Sequence, residues 1–171
     1  AKASWQRARD AGVAWADTAP DDLDANDLCI DALLGIGVSS SPGSAARAPD
    51  ARLQACLQAL NHSPAPVLAV DLPSGLDADT GQFAAGLTPD TAPHPHYLLR
   101  QRTPPPRHTL SLLTLKPGLF TAAGRDAAGQ VWLDDLGVEP GHEPPNAWLS
   151  GPALPAPRAH ASHKGSYGDV A

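Results

Sequence analysis

Residues 70–81 read Val-Asp-Leu-Pro-Ser-Gly-Leu-Asp-Ala-Asp-Thr-Gly and follow a short apolar run. The run predicts a buried strand over residues 67–72, which Pro73 ends because proline lacks the N–H group that a sheet ladder needs. A carboxylate, Asp71, and a hydroxyl, Ser74, therefore fall on a sharp turn at a strand end. Proteins with open parallel sheets bind ligands at such strand ends.

A second segment of the same kind lies upstream. Residues 28–37 read Leu-Cys-Ile-Asp-Ala-Leu-Leu-Gly-Ile-Gly, which predicts a buried strand over residues 27–34. The strand contains Asp31 and ends at Gly35 and Gly37, so its carboxylate also lies near a turn.

The chain between these strands predicts a helix from Asp50 to about residue 60. Asp is a favoured N-cap residue. Four apolar residues at i, i+3, i+4 and i+7 form one stripe that can pack on a sheet: Leu53, Cys56, Leu57 and Leu60. A right-handed strand-helix-strand crossover brings the carboxyl ends of both strands to one rim. Asp31 and Asp71 are therefore expected together at the edge of an α/β fold with a mostly parallel sheet.

Weaker patterns predict the remaining elements. We expect a helix over residues 1–11, a strand over 109–115, a helical turn over 119–123 and an edge strand over 130–136. The five prolines of residues 92–106 indicate an irregular segment.

Composition limits the classes of function. The chain has 171 residues, of which 42% are hydrophobic, and a formal net charge of -6. That size suits one domain, and the acidic balance argues against a nucleic-acid partner. Cys29 and Cys56 lie in a predicted strand and helix, so no disulfide is expected. No apolar run is long enough to span a membrane and no secretory leader is visible, so we expect a soluble, cytoplasmic protein.

Asp31 and Asp71 carry the candidate chemistry. A carboxylate at a strand end can bind a cation, accept hydrogen bonds from a sugar or amide, or exchange protons. It can also simply cap a loop, but two carboxylates on one rim favour function. Ser74 is expected to bring its oxygen towards the Asp71 carboxylate, which suits an oxygen-lined site for a monovalent cation. Ser74 does not have the glycine spacing of a nucleophile elbow.

The segment after the first strand is a candidate ligand loop. Gly35 and Gly37 allow a ligand to approach the backbone closely, and Ser39, Ser40 and Ser41 offer hydroxyl groups to phosphate or ribose. A plain strand-exit turn explains the same residues, because the full dinucleotide-binding fingerprint is absent.

Three other features favour structural interpretations. Residues 77–81 resemble the start of a calcium loop but lack its bidentate Glu, so a turn is expected. His94 and His96 have no further ligand nearby, and no metal is expected there. Lys116 can project its charge onto the rim, although an exposed surface lysine is the commoner arrangement.

Three segments together resemble the N-terminal YjeF domain, the NAD(P)H-hydrate epimerase family. They are D-A-L-L-G-I-G from residue 31, A-V-D-L-P-S-G-L-D-A-D-T-G from residue 69 and T-L-K-P-G-L-F from residue 114, in the order of the family. The second segment is highly specific, and the similarity covers roughly residues 20–140.

The resemblance implies a Rossmann-like, three-layer α/β/α fold that is incomplete at the N-terminus. It also implies epimerisation of the S and R forms of hydrated NADH and NADPH, with a bound potassium ion. Asp31 and Ser74 match potassium positions, and Asp71 matches a substrate-contacting carboxylate that is our candidate acid or base. The substrate-binding loop of the family matches Gly35, Ile36, Gly37, Val38, Ser39, Ser40 and Ser41.

The resemblance also suggests a domain organisation. Residues 1–139 correspond to part of the epimerase domain, residues 140–160 form a proline-rich linker, and residues 161–171 resemble the start of a dehydratase domain of bifunctional repair enzymes. The Asn-Asn-Gly-Gly-Asp loop of the family has no counterpart in this sequence. The isolated chain is therefore expected to have an incomplete site and little epimerase activity.

Two other interpretations remain open. One is a non-catalytic YjeF-type module that binds a nucleotide-like ligand or a protein, which would not need the oxygen groups of Asp31, Asp71 and Ser74. The other is an unrelated Rossmann-like nucleotide binder, against which the specific segment at residues 69–81 argues. The expected partner is a small molecule, with no nucleic acid and no membrane, and a homo-oligomer remains an option.

Overall fold

The structure, a computed structural model, describes residues 2–39, 50–89, 105–139, 141, 142 and 144–151. The chain divides into two units, Ala1–Pro140 and Gly141–Ala171. The described residues of the second unit contain no helix or strand. The predicted linker and dehydratase-like segment lie mostly outside the described residues and stay predictions.

The first unit contains four strands, three helices and one 3-10 turn in the described ranges. Its elements are α1 (Lys2–Asp10), β1 (Cys29–Asp31), α2 (Ala51–His62), β2 (Val67–Val70), β3 (Arg107–Leu112), a 3-10 turn (Pro117–Leu119), α3 (Gly124–Ala127) and β4 (Gln130–Asp134).

All four described strands are parallel and stand in the order β1-β2-β3-β4. The register aligns Asp31 with Ala69, Ala69 with Thr109, and Thr109 with Val131. The carboxyl ends of β1 and β2 are therefore neighbours, as the sequence predicts. The parallel sheet with its helices confirms a Rossmann-like α/β fold.

Helix α2 forms as its sequence predicts. The Asp50 carboxylate accepts a hydrogen bond from the backbone N–H of Arg52 at 3.0 Å and caps the helix. Leu60, at the end of the apolar stripe, packs against the buried Cys29 and Val67. This contact anchors α2 to one face of the sheet.

A second core cluster lies under the turn that follows β2. Leu72, Leu76, Leu119 and Ala128 are each 1% exposed and pack together. Residues 72–77 are all buried, so the stretch that directly follows Asp71 lies inside the fold. This burial fixes the position of the polar groups that the stretch carries.

Some boundaries differ from those that the sequence predicts. The strands are shorter, and a 3-10 turn and α3 replace the predicted helical turn over residues 119–123. Pro117 starts the 3-10 turn, and Ala122 has a φ of 44°, which no α-helix tolerates. Both cysteines are free thiols, as expected.

Within the described residues, no helix is both long and apolar enough to cross a membrane.

Candidate functional site

Asp31 and Ser74 form the centre of the rim. The carboxylate of Asp31, at the end of β1, accepts the backbone N–H of Ser74 at 2.8 Å and the Ser74 hydroxyl at 2.5 Å. The same hydroxyl accepts the backbone N–H of Leu34 at 2.8 Å. One serine thus joins the exits of two neighbouring strands.

This Asp31 carboxylate is a buried anion. Asp31 is 5% exposed and Ser74 is 4% exposed. Neither of the two ion pairs among the described residues involves Asp31. Burying a carboxylate is costly unless hydrogen bonds or a cation compensate, so the hydrogen bonds from Ser74 carry much of this compensation.

Asp71 occupies the neighbouring strand end in an unusual backbone conformation. Its φ is 73°, in the left-handed region that Asp enters more readily than most residues. Its N–H donates to the carbonyl of Leu110 at 2.7 Å, and its Oδ1 accepts the N–H of Leu112 at 3.0 Å. Backbone and side chain are therefore both attached to β3.

Lys116 completes the second half of the rim. Its ammonium group forms an ion pair with Oδ1 of Asp71 and donates to the carbonyl of Leu112 at 2.6 Å. The side chain of Lys116 is only 13% exposed, against 21% for Asp71. The expectation of an ordinary surface lysine is therefore wrong, and the alternative that the lysine reaches the rim is correct.

The structure gives Ser74 a different partner from the one that the sequence indicates. We expected its oxygen near the carboxylate of Asp71, but its hydrogen bonds go to Asp31 and Leu34. Asp71 pairs with Lys116 instead. The rim therefore contains two separate pairs, one neutralised by a lysine and one without a basic residue among the described ones.

The candidate ligand loop begins beside Ser74. Leu34, which bonds the Ser74 hydroxyl, directly precedes Gly35, and Ile36 is 64% exposed. A methyl group on Gly35 or Gly37 would meet no atom within 4 Å, so the backbone borders open space. Val38 and Ser39 follow within the described range, whereas Ser40 and Ser41 lie outside it.

Residues 77–81 form the expected turn. Oδ1 of Asp77 accepts the N–H groups of Asp79 at 3.0 Å and Thr80 at 2.9 Å, as in an Asx turn. In the described part of the chain, no three His, Cys, Asp or Glu side chains cluster as a metal site would require. His94 and His96 lie outside the described residues.

One cavity in the described part of the chain does not include the rim. It has a volume of about 650 Å³ and is lined by residues of α2 and by a loop that includes Asp17 and Leu23, with Ser63 and Pro64. Ser63 and Pro64 precede β2, so this cavity lies at the opposite end of the strands. The polar groups that can do chemistry lie at the rim.

Comparison with known proteins bears on this rim. The sequence profile described as YjeF-related protein N-terminus matches residues 1–118, which include both pairs of the rim. The chain belongs to this family. The match confirms the resemblance, although it starts earlier and ends sooner than the range of roughly 20–140 that the motifs suggest.

Several curated members of the YjeF-related family are similar to this chain. It is 32% identical to the bifunctional NAD(P)H-hydrate repair enzyme Nnr of Escherichia coli over 155 residues, which are 83% of this chain and 24% of that protein. It is 30% identical to the NAD(P)H-hydrate epimerase of Oenococcus oeni over 118 residues, which are 69% of this chain and 45% of that protein. The chain thus spans less than half of either relative. No solved structure matches it significantly.

Proposed function

We propose that the protein acts in the repair of nicotinamide cofactors, as an epimerase that interconverts the S and R forms of hydrated NADH and NADPH. The observation that carries the proposal is the pair of Asp71 and Lys116 at the rim of a YjeF-related fold. Relatives of this chain are named for hydrate repair and for epimerisation. A module that only binds a ligand has no need of a partly buried, ion-paired carboxylate at a strand end.

Asp71 is the proposed acid or base. Hydration leaves a hydroxyl group on a carbon of the nicotinamide ring. Inverting that carbon requires one of its bonds to break and to re-form on the other face, and the hydroxyl oxygen gains or loses a proton as the bond breaks and reverses this change when the bond re-forms. A positioned carboxylate performs such transfers. The described residues leave Oδ2 of Asp71 without a hydrogen bond, while Oδ1 is held by Leu112 and Lys116.

The loop from Gly35 to Ser41 is the proposed contact for the remainder of the substrate. Its glycines border open space, so a phosphate or ribose can reach the backbone N–H groups. The exposed apolar side chain of Ile36 suits a ring face. Ser39, Ser40 and Ser41 would add hydroxyl donors at the far end of this loop.

Asp31 and Ser74 fit a potassium site by their chemistry. Both side chains offer oxygen, the carbonyl oxygen of Leu34 lies 3.3 Å from the Ser74 hydroxyl, and hard cations prefer oxygen ligands. A carboxylate accepts about four hydrogen bonds or ligands, so Asp31 keeps capacity beyond its bonds to Ser74. Bound there, potassium would be a counter-ion for the buried Asp31 carboxylate. Among the described residues, only hydrogen-bond donors compensate this negative charge.

The substitution Asp71→Asn tests the proposal. The amide keeps the shape of the side chain but cannot exchange a proton as a carboxylate does. In the protein with its natural termini, we expect kcat for epimerisation to fall by about 100-fold or more. The exposed Asp126, in α3, provides a matched control, and Asp126→Asn should leave kcat unchanged. Undiminished epimerisation by the Asp71→Asn protein would refute the assignment.

A further inference from the structure

The hydrogen bonds of Lys116 occupy all three of its ammonium protons. Nζ lies in ion-pair contact with Oδ1 of Asp71, 2.6 Å from the carbonyl oxygen of Leu112 and 3.4 Å from Oγ of Ser111. An ammonium group has three donors and no acceptor. Three acceptors around one nitrogen therefore fix the side chain in one place.

The Asp71 carboxylate is held asymmetrically as a result. Oδ1 receives both the Lys116 ammonium and the Leu112 N–H, the latter at 3.0 Å. In the described ranges, Oδ2 receives no hydrogen bond, and the Asp71 side chain keeps 21% of its surface exposed. One oxygen is thus an anchor, and the other has no hydrogen-bond partner among the described residues.

The backbone has an unusual conformation where each of the two strands ends. Asp71 and Leu113, which follow β2 and β3, both adopt left-handed conformations, with φ of 73° and 65°. Residues with side chains adopt this region infrequently, and such conformations cluster at functional sites. The second of these turns lies three residues before Lys116, and the first belongs to Asp71 itself. Both strand exits bend to bring the two side chains together.

Stability alone does not account for this lysine. Its side chain is 13% exposed, and removing an ammonium from water costs free energy that an ion pair does not reliably recover. Apolar side chains in place of both Lys116 and Asp71 would fill the same space without that cost. The contacts instead fix the direction of one carboxylate.

We propose that Lys116 is a positioning residue, which anchors Oδ1 of Asp71 so that Oδ2 is the oxygen that exchanges the proton with the substrate. This assignment rests on the proposed epimerase function. It makes Lys116 act only through Asp71, so the two residues form one functional unit.

The test compares four variants of the protein with its natural termini. They are Lys116→Met, Asp71→Asn, the double variant, and Lys2→Met as a control for the loss of an exposed positive charge. We measure kcat and KM for epimerisation of hydrated NADH. Lys116→Met should lower kcat by about 10- to 100-fold, because small displacements of a catalytic group have effects of that size. Lys2→Met should not change it.

The double variant separates positioning from a general structural defect. If Lys116 acts only through Asp71, the double variant is no slower than Asp71→Asn alone. If the two single effects multiply in the double variant, Lys116 acts independently and the proposal is overturned. An unchanged kcat in Lys116→Met also overturns it.

A charge-preserving variant extends the test. Lys116→Arg keeps the positive charge, but a planar guanidinium cannot direct three N–H groups from one nitrogen. We expect its kcat to lie between those of the natural protein and Lys116→Met. An arginine variant that is no faster than the methionine variant would overturn the ion-pair basis of the proposal.

A crystal structure of Lys116→Met gives a readout that needs no turnover. We expect Oδ1 of Asp71 to move away from the N–H of Leu112. If the carboxylate moves but the natural protein shows no epimerisation, the proposed function fails while the anchoring of Asp71 stands. If the natural protein is active and neither the carboxylate nor kcat changes in the variant, the positioning role fails while the proposed function stands.

Discussion

Replacing Ser74 with Ala removes a hydroxyl group that joins two strand exits. In the structure this group accepts the N–H of Leu34 at 2.8 Å and donates to the Asp31 carboxylate at 2.5 Å. Ser74 is 4% exposed, so water cannot easily take its place. The alanine leaves a backbone donor and a carboxylate oxygen each with one hydrogen bond fewer.

The size of the effect follows from these two bonds. A buried group left without its partner costs about 1–3 kcal/mol, and a hydrogen bond to a charged group contributes about 1.5–3 kcal/mol. Leu34 is only partly buried, so water can recover part of the first loss. We expect Ser74→Ala to lower the free energy of unfolding by about 2–4 kcal/mol.

Urea unfolding measures this change, provided that the free energy of unfolding falls equally steeply with urea concentration in both proteins. Ser4→Ala is a suitable control, because Ser4 lies on the exposed side of α1 and makes one exposed hydrogen bond, with Arg7 at 3.3 Å. Its effect should stay within about 0.5 kcal/mol. If Ser74→Ala falls within that range too, the reasoning about the Asp31–Ser74 pair is refuted.

Two further predictions concern the same rim and the turn behind it. Asp31→Asn keeps the shape of the side chain but removes its charge, and with it the main ligand proposed for potassium. The melting temperature of the natural protein should be higher in potassium chloride than in choline chloride of equal ionic strength. The melting temperature of the variant should be the same in both salts. An equal rise in both proteins would contradict the potassium proposal. At a potassium concentration 100 times the dissociation constant, binding would stabilise the folded natural protein by about 2.7 kcal/mol. Gly81 and Gly12 have φ of 70° and 77°, but a methyl group on Gly81 would lie 2.2 Å from the carbonyl oxygen of Thr121, whereas one on Gly12 would meet no atom within 4 Å. Urea unfolding should therefore show a larger loss of stability for Gly81→Ala than for Gly12→Ala, and equal losses would show that the turn tolerates the added methyl group.

The sequence predicts much of the fold because its local signals agree with each other. The apolar stripe that ends at Leu60 and the cap at Asp50 predict α2, and the structure contains both. The strand pattern around Asp31 and the stop at Pro73 place two carboxylates at neighbouring strand ends. These signals depend on residues close together in the chain. The right-handed crossover then predicts that the two strands lie side by side with their carboxyl ends at one edge.

The partners within the site could not be derived in the same way. Asp71 and Lys116 are 45 residues apart, and Asp31 and Ser74 are 43 apart. Which side chain meets which depends on left-handed turns at Asp71 and Leu113. Asp favours such a turn only weakly, and Leu does not favour it at all. The lysine after β3 was visible as a charge near the rim, but its burial depends on packing that no local pattern encodes.

Several predictions concern residues that the structure does not describe, or an activity that only an assay can measure. The linker, the dehydratase-like segment and the low activity expected of the isolated 171-residue chain stay predictions, as do the contributions of Ser40 and Ser41 to the substrate loop.

The most direct test of the epimerase proposal starts from one purified epimer of hydrated NADH. Chiral chromatography follows the appearance of the other epimer with and without the protein, expressed with its natural termini. We expect the epimers to equilibrate at a rate proportional to protein concentration, and Asp71→Asn to abolish most of this rate. Equilibration no faster than in buffer alone would show that the protein is not an epimerase of this substrate.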